Sequence, residues 1–202
     1  IEQDMDAIDY DGVKNGIVKN NIIHDFRGDN NDGLDIGEKC ENLEIENNYI
    51  YHCFDKGISV GQQSTASLFD NTIVYTTIGI ALKDQSKATI DHCTFFGNQQ
   101  GVSAYEKNSG LLGGSGIITN CIVSNASSDA YRADTFSSLN FVDCLSDLDP
   151  GLPNRGDINE NPEFVNPTYY NFQLKSGSPA IGKASDASNL GTRNVRPQSE
   201  KI

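Results

Sequence analysis

The 202-residue sequence predicts an all-β fold: a right-handed parallel β-helix (a solenoid) of about six coils, closed by an irregular C-terminal capping segment. Two short patterns recur in alternation with one shared, irregular period, which is the signature of a repeat architecture. No segment of helical length shows a 3.6-residue apolar period, whereas strand-length alternation is common. The low hydrophobic fraction of 37% suits a thin core of short strands separated by polar turns.

The first pattern is an apolar residue between two small or polar ones. Its steps are 26, 24, 22 and 22 residues, and its apolar members are Ile8, Leu34, Ile58, Ile80 and Val102. The triplet centred on Tyr131 is a degenerate sixth member. In a solenoid, each coil returns through other strands to lie about 4.8 Å above its start.

The second pattern is a polar turn between two apolar segments. Its aligned positions, with steps of 27, 23, 22, 28 and 23 residues, are Asn21, Asn48, Asn71, Cys93, Cys121 and Cys144. Stacked asparagine amides can bond the same group one coil away. We therefore predict an asparagine ladder that continues as a buried column of cysteines. Stacked coils also approach the Cα separation of a disulfide, so a bridge within the column stays open.

Composition and charge limit the partners. The formal net charge of −13 disfavours nucleic acid and anionic membranes, which attract clustered Lys and Arg. No run approaches the ~18 consecutive apolar residues of a membrane span, so no membrane insertion is expected. Zinc spacings are absent, and His24, His52 and His92 do not share a row.

The coils are predicted to span residues 1–147, with a cap packed on the solenoid over 148–190 and a loose tail over 191–202. Proline-rich and glycine-rich turns mark the change of character after Asp147. No matching cap precedes the first strand. We expect its open edge to be covered by further chain or by another subunit.

Several segments resemble bacterial parallel β-helix repeat proteins of the broad pectate-lyase-like superfamily. The resemblance covers about Asp6 to Gly182 and is clearest in residues 6–12, 31–37, 55–61 and 79–84 and in the Asn-Pro-x-Phe-Val and Ser-Pro-Ala-Ile-Gly elements. It implies a secreted or cell-surface protein that contacts polysaccharide, often within a larger surface protein. It implies no particular reaction, because fold does not fix function.

Aligning the coils brings aspartates together on the first strand of each repeat. Asp9, Asp35 and Ser59 share one row, and Asp11 and Lys83 share the next-but-one row. Stacked carboxylates repel unless a cation bridges them or one is protonated. Calcium is the predicted cofactor, because it accepts six to eight oxygen ligands, and the predicted metal ligands are Asp9, Asp11, Asp32 and Asp35. The alternative is that these aspartates cap turns.

Lyases on this fold combine calcium-bound carboxylates with a Lys or Arg base, so the resemblance implies a catalytic base. Lys83 is the first candidate and Lys56 the second, while Tyr105 and Lys107 are predicted to line a sugar groove. The pattern departs from those lyases, because Ala81 occupies the position aligned with Asp35. Lys83 must reach back over two coils, roughly 9 to 10 Å. The alternative is that both lysines are solvated and paired with Asp84 or Asp55.

Three functions follow from these patterns. The first is an extracellular carbohydrate-interacting β-helix, in its most specific form a calcium-dependent lyase that cleaves uronate-containing polysaccharide by β-elimination. The second is a non-catalytic binding or spacer module of a larger bacterial surface protein. The third is a glycoside hydrolase, although directly stacked carboxylates are closer than the separations usual for either hydrolytic class.

Overall fold

The computed structural model describes residues 5–149 and 157–194. In these residues three parallel sheets of six strands each wind into a solenoid, and each coil contributes one strand to every sheet. The predicted fold class, an all-β right-handed parallel β-helix of about six coils, is confirmed.

Strands of the same sheet recur once per coil. The first sheet contains β1 (Ile8–Asp11), β4 (Leu34–Gly37), β7 (Lys56–Val60), β10 (Ile78–Lys83), β13 (Gln100–Tyr105) and β16 (Asp129–Ala133). The second contains β2 (Ile17–Lys19), β5 (Leu43–Glu46), β8 (Thr65–Phe69), β11 (Lys87–Asp91), β14 (Ser115–Thr119) and β17 (Ser138–Val142). The third contains β3 (Ile22–His24), β6 (Tyr49–Tyr51), β9 (Thr72–Val74), β12 (Thr94–Phe96), β15 (Ile122–Ser124) and β18 (Leu145–Ser146).

The first repeated pattern forms a row of buried side chains inside the solenoid. Leu34 pairs with Ile58, Ile58 with Ile80, and Ile80 with Val102, and all four are fully buried. Val102 in turn pairs with Tyr131, so the degenerate sixth member is real. The residue spacing of the first pattern therefore matches the pairing of residues between neighbouring strands of the first sheet.

The second repeated pattern forms the predicted ladder at the sharp turn between the second and third sheets. Asn21 donates from both its backbone N–H and its side chain to Oδ1 of Asn48, and Asn48 does the same to Asn71, each at 3.0 Å. The backbone N–H of Cys93 then donates to Sγ of Cys121 at 3.3 Å. All five cysteines are buried free thiols, so the column contains no disulfide.

The C-terminal segment contains a two-stranded antiparallel sheet. It comprises β19 (Phe164–Asn166), a 3-10 helix (Pro167–Tyr169) and β20 (Asn171–Leu174). Phe164 and Phe172 pack on Phe96 of the third sheet, with ring centroids 6.2 and 5.3 Å away. Most of this segment thus covers one side of the solenoid, while Ile158 extends its last coil by bridging to Leu145.

The boundary of the predicted tail needs a correction. Residues 191–194 are held against the solenoid, because Thr192 donates through Oγ1 to the carbonyl of Asn71 at 3.0 Å and Arg193 pairs with Asp70 at 3.4 Å. These polar contacts carry no apolar signal that a sequence pattern would reveal. The rest of the predicted tail, 195–202, and the loop at 150–156 lie outside the described residues.

The close approach of neighbouring coils requires glycine in the first sheet. A Cβ on Gly79 would lie 2.5 Å from the carbonyl oxygen of Gly101 and 2.6 Å from Phe95. We expect Gly79→Ala to lower the free energy of unfolding by about 1–3 kcal/mol, because the coils must move apart. Urea unfolding checks this against Gly177→Ala, whose Cβ would meet its nearest neighbour at 3.6 Å. Equal stabilities of the two variants would contradict it.

The asparagine ladder yields a second prediction. Asn71→Ala leaves the buried N–H of Asn48 without its acceptor and removes the bond from Asn71 Nδ2 to the carbonyl of Ile45 at 2.8 Å. We expect a loss of about 1–3 kcal/mol in the free energy of unfolding, because a buried donor is left unpaired. Asn21→Ala, at the less buried end of the ladder, is the matched control and should cost less. A larger loss for Asn21→Ala would refute the ladder as a source of stability.

Candidate functional site

The outer face of the first sheet carries the predicted row of carboxylates. Asp9 pairs with Asp35, and Asp35 pairs with Ser59, as the sequence alignment requires. Lys83 pairs with Tyr105 in the register of the next-but-one row. The alignment therefore gives the correct neighbours on this face.

Lys56 is a buried ammonium group held between two carboxylates. Its Nζ lies 3.3 Å from Oδ1 of Asp32 and bonds Asp55, and its backbone N–H also donates to Asp32 at 2.9 Å. Burial acts to lower the pKa of Lys56, but the carboxylates of Asp32 and Asp55 outweigh it and raise the pKa to about 12. Lys56 thus stays charged at neutral pH.

Asp32 is only 4% exposed and shares this ammonium group with Asp55. Burial raises the pKa of Asp32 to about 6, although the charge of Lys56 opposes the rise. The backbone N–H of Asp32 also donates a hydrogen bond to Oδ1 of Asp6 at 2.6 Å. Asp32 is therefore a buried partner of Lys56.

Lys83 is also buried, at 4% exposure, and reaches back over the coil of β7 towards β4. Its Cε lies 3.2 Å from the position that a Cβ on Gly61 would occupy, so glycine makes room for the stem. Its Nζ lies 3.9 Å from Oδ1 of Asp35, whose side chain is 30% exposed. The reach over two coils that the sequence requires is thus observed.

Lys83 differs electrostatically from Lys56. Burial lowers the pKa of Lys83, Asp35 opposes this, and the charges of Lys56 and Lys107 reinforce it. The reading of Lys83 as a solvated lysine paired with Asp84 is wrong, because Lys83 is buried and its Nζ approaches Asp35. The pKa values of these two neighbouring lysines are consequently shifted in opposite directions.

Tyr105 and Lys107 flank the lysines from the following coil. Burial raises the pKa of Tyr105 to about 12, against the opposing charge of Lys56, so the phenol remains protonated. Lys107 is exposed and its backbone is anchored on Asp84. Their contact with sugar stays a prediction.

The four predicted calcium ligands do not form one site. Asp32 is engaged by Lys56 and Asp35 approaches Lys83, whereas Asp9 and Asp11 are exposed on β1. Within residues 5–149 and 157–194, no three histidine, cysteine or carboxylate side chains converge closely enough to hold a metal ion. Calcium binding by these aspartates stays a prediction.

The pairing of Lys56 with Asp55, predicted as an alternative, is observed, but Lys56 is buried and not solvated. Sequence reasoning gave Ser59 no role at this site. Ser59 is fully buried in the row of Asp35, and its Oγ has no hydrogen-bond partner among the described residues. A serine in an acidic row is visible in the sequence, but its complete burial is not.

Residues 1–112 match the family model described as "Right handed beta helix region", which is more than half of the chain. The chain belongs to this family. The match indicates a carbohydrate-related β-helix protein. A search of curated proteins gave no match. In the part of the chain that the structure describes, no helix is long and apolar enough to cross a membrane.

The buried pair of Lys56 and Asp32 yields a stability prediction. Lys56→Met should lower the free energy of unfolding by about 3–5 kcal/mol at pH 7, because it leaves buried carboxylates without their counter-ion. The matched control is Lys19→Met, which breaks an exposed pair with Glu46 at 2.8 Å and should cost about 0–1 kcal/mol. Urea unfolding at pH 7 measures both, and similar losses would contradict the buried network.

Proposed function

We propose that this protein binds an acidic polysaccharide on the outer face of the first sheet and cleaves it by β-elimination, with Lys83 as the base. The supporting observation is the pair of neighbouring lysines whose pKa values are shifted in opposite directions. Groups whose environments separate their pKa values are natural candidates for different roles in acid–base chemistry. The polymer class, uronate-containing polysaccharide, comes from the resemblance alone.

In this proposal, the neutral amine of Lys83 removes the proton alpha to the uronate carboxylate. The electron pair forms a carbon–carbon double bond as the bond to the leaving oxygen breaks. Tyr105, protonated because its pKa is about 12, supplies a proton to that oxygen. Lys56 stays cationic and stabilises the negative charge that develops on the carboxylate. Substrate would approach from the side of Asp35, the partly exposed partner of Lys83.

None of the steps above requires calcium. The dependence of activity on calcium can therefore be tested separately. A cation bridging Asp9 and Asp35 would add a second source of positive charge beside the lysines. Addition of chelator should leave elimination by the lysine pair unchanged. Loss of activity with chelator and its return with calcium would instead support the calcium-dependent lyase that the resemblance implies.

Secretion or display at the cell surface belongs to the same proposal, since the polymer is extracellular. We also keep the proposal that further chain or another subunit covers the open edge formed by β1, β2 and β3. Within the described residues these strands end their sheets, and an edge strand presents unpaired backbone groups.

A non-catalytic binding or spacer module is the second candidate. The observation that favours it is the burial of both lysines in ion pairs, an arrangement that also occurs in purely structural networks. A module would bind glycan and release no product. A glycoside hydrolase, the third reading, would release reducing ends without forming a double bond.

The activity prediction uses polygalacturonate and the absorbance of unsaturated uronate products. Lys83→Met should abolish product formation. Lys83→Arg should retain at most a small residual activity, because arginine stays protonated. Lys19→Met, an exposed lysine on the second sheet, is the control and should keep full activity. An equally active Lys83→Met would eliminate Lys83 as the base.

The pH dependence gives an independent check. Because the pKa of Lys83 is lowered, its reactive neutral form is lost as pH falls through that pKa and gained as pH rises through it. We expect kcat/KM to rise with pH and to level off below the ordinary lysine value near 10.5. A rate that falls over the alkaline range before Tyr105 titrates would contradict this assignment.

A further inference from the structure

A cleft of about 500 Å³ lies at the corner where each coil passes from the third sheet to the first. This volume is within the range of about 300–1,000 Å³ that is usual for ligand sites. Its lining includes Arg27, His52, Phe54, Tyr75, Gln99 and Ser127. The carboxylate of Asp25 lies beside this lining, 3.3 Å from Nη2 of Arg27 and 3.4 Å from Nδ1 of His52.

Tyr75 is held in this cleft at the expense of backbone strain. Its φ is 54°, in the left-handed region, where a bulky side chain is disfavoured. The neighbouring positions of the same row, Asp25, His52, Gly97 and Asn125, are residue types that tolerate this conformation. Strained backbone of this kind persists where the surroundings fix it, and it clusters at ligand sites.

The surroundings do fix the Tyr75 ring. A Cβ on Gly97 would lie 2.4 Å from the ring, so glycine is needed beneath it. The ring stacks on His52 at 5.7 Å between centroids and meets the edge of Tyr170 at 5.9 Å. His52 is itself fixed by a hydrogen bond between its Nε2 and the hydroxyl of Tyr170 at 3.1 Å. Tyr75 is therefore a preorganised aromatic surface.

Phe54 provides a second aromatic surface from the same corner. Its side chain is 55% exposed, and Tyr75 is 36% exposed. The hydroxyl of Thr77 donates to the carbonyl of Phe54 at 2.6 Å, which holds the backbone of the exposed ring in place. The apolar face of a pyranose ring packs on such surfaces, while its hydroxyls need hydrogen-bond partners.

Polar side chains that can form further hydrogen bonds line the same cleft. The side chains of Gln99 and Ser127 make no hydrogen bond to other described residues. Arg27 gives one bond, from Nη2 to Oδ1 of Asp25 at 3.3 Å, and a guanidinium has five N–H donors. Its remaining donors suit the planar carboxylate of an acidic sugar.

We propose that this cleft is a glycan-binding subsite that takes an acidic pyranose residue, with Phe54 and Tyr75 contacting the ring and Arg27 its carboxylate. Asp55 and Lys56 follow Phe54 directly in the chain, so the cleft adjoins the outer face of the first sheet. The inference takes its acidic glycan from the proposed function, but it does not depend on catalysis by Lys83.

Calorimetric titration with a galacturonate hexamer tests the subsite. Phe54→Ala, Tyr75→Gly and Arg27→Gln should each weaken binding at least tenfold. Tyr75→Gly relieves the strained φ, and its far-UV circular dichroism verifies folding. Phe136→Ala, which removes a 56% exposed ring elsewhere, should bind like the wild type.

Three outcomes would overturn the subsite. The first is wild-type protein that does not bind the hexamer. The second is wild-type affinity in folded Phe54→Ala and Tyr75→Gly. The third is equal binding of neutral maltohexaose, which would remove the role given to Arg27. Hexamer binding without any elimination by the wild-type protein supports the subsite and overturns only the catalytic proposal.

Discussion

Each coil must lie in register on the next, because the backbone hydrogen bonds of all three main sheets run between coils. This constraint explains why similar residues recur in rows. Leu34, Ile58 and Ile80 form the inner row of the first sheet, and Asn48 and Asn71 occupy the turn where each amide bonds the next coil. A residue is therefore selected for its neighbours one coil above and below as much as for those beside it in the chain.

The same stacking determines the electrostatics of the outer face. Adjacent coils bring Asp9 and Asp35 side by side, and such carboxylates require compensation. The compensation comes from lysine side chains that cross between coils, Lys56 to Asp32 and Lys83 towards Asp35. Burial acts to lower the pKa of both lysines, but at Lys56 the carboxylates of Asp32 and Asp55 outweigh it, so the two pKa values shift in opposite directions. That difference links the fold to the proposed elimination chemistry.

The turns follow a second rule, which is the repeated use of left-handed backbone. Asn20, Asn47, Asp70 and His92 have φ values between 49° and 63° at the turn beside the ladder. Asparagine, aspartate and histidine tolerate this conformation better than other side chains do. In the row at the other corner, Asp25, His52, Gly97 and Asn125 follow the same rule, and Tyr75 is the exception. This exception coincides with a cleft.

The sequence by itself determined the fold class, the coil register, the asparagine ladder and the neighbours in the acidic row, because a solenoid converts sequence period directly into spatial stacking. Only the tertiary structure decided the burial of Lys56 and Lys83 and the docking of residues 191–194. It also decided that the hydroxyl of Ser59 has no hydrogen-bond partner among the described residues. Those features depend on side chains that extend across coils and on polar contacts between distant segments. Neither recurs with a regular spacing in the sequence. The aromatic cleft belongs with them, since Tyr75 and Tyr170 are 95 positions apart and meet only when the C-terminal segment folds onto the third sheet.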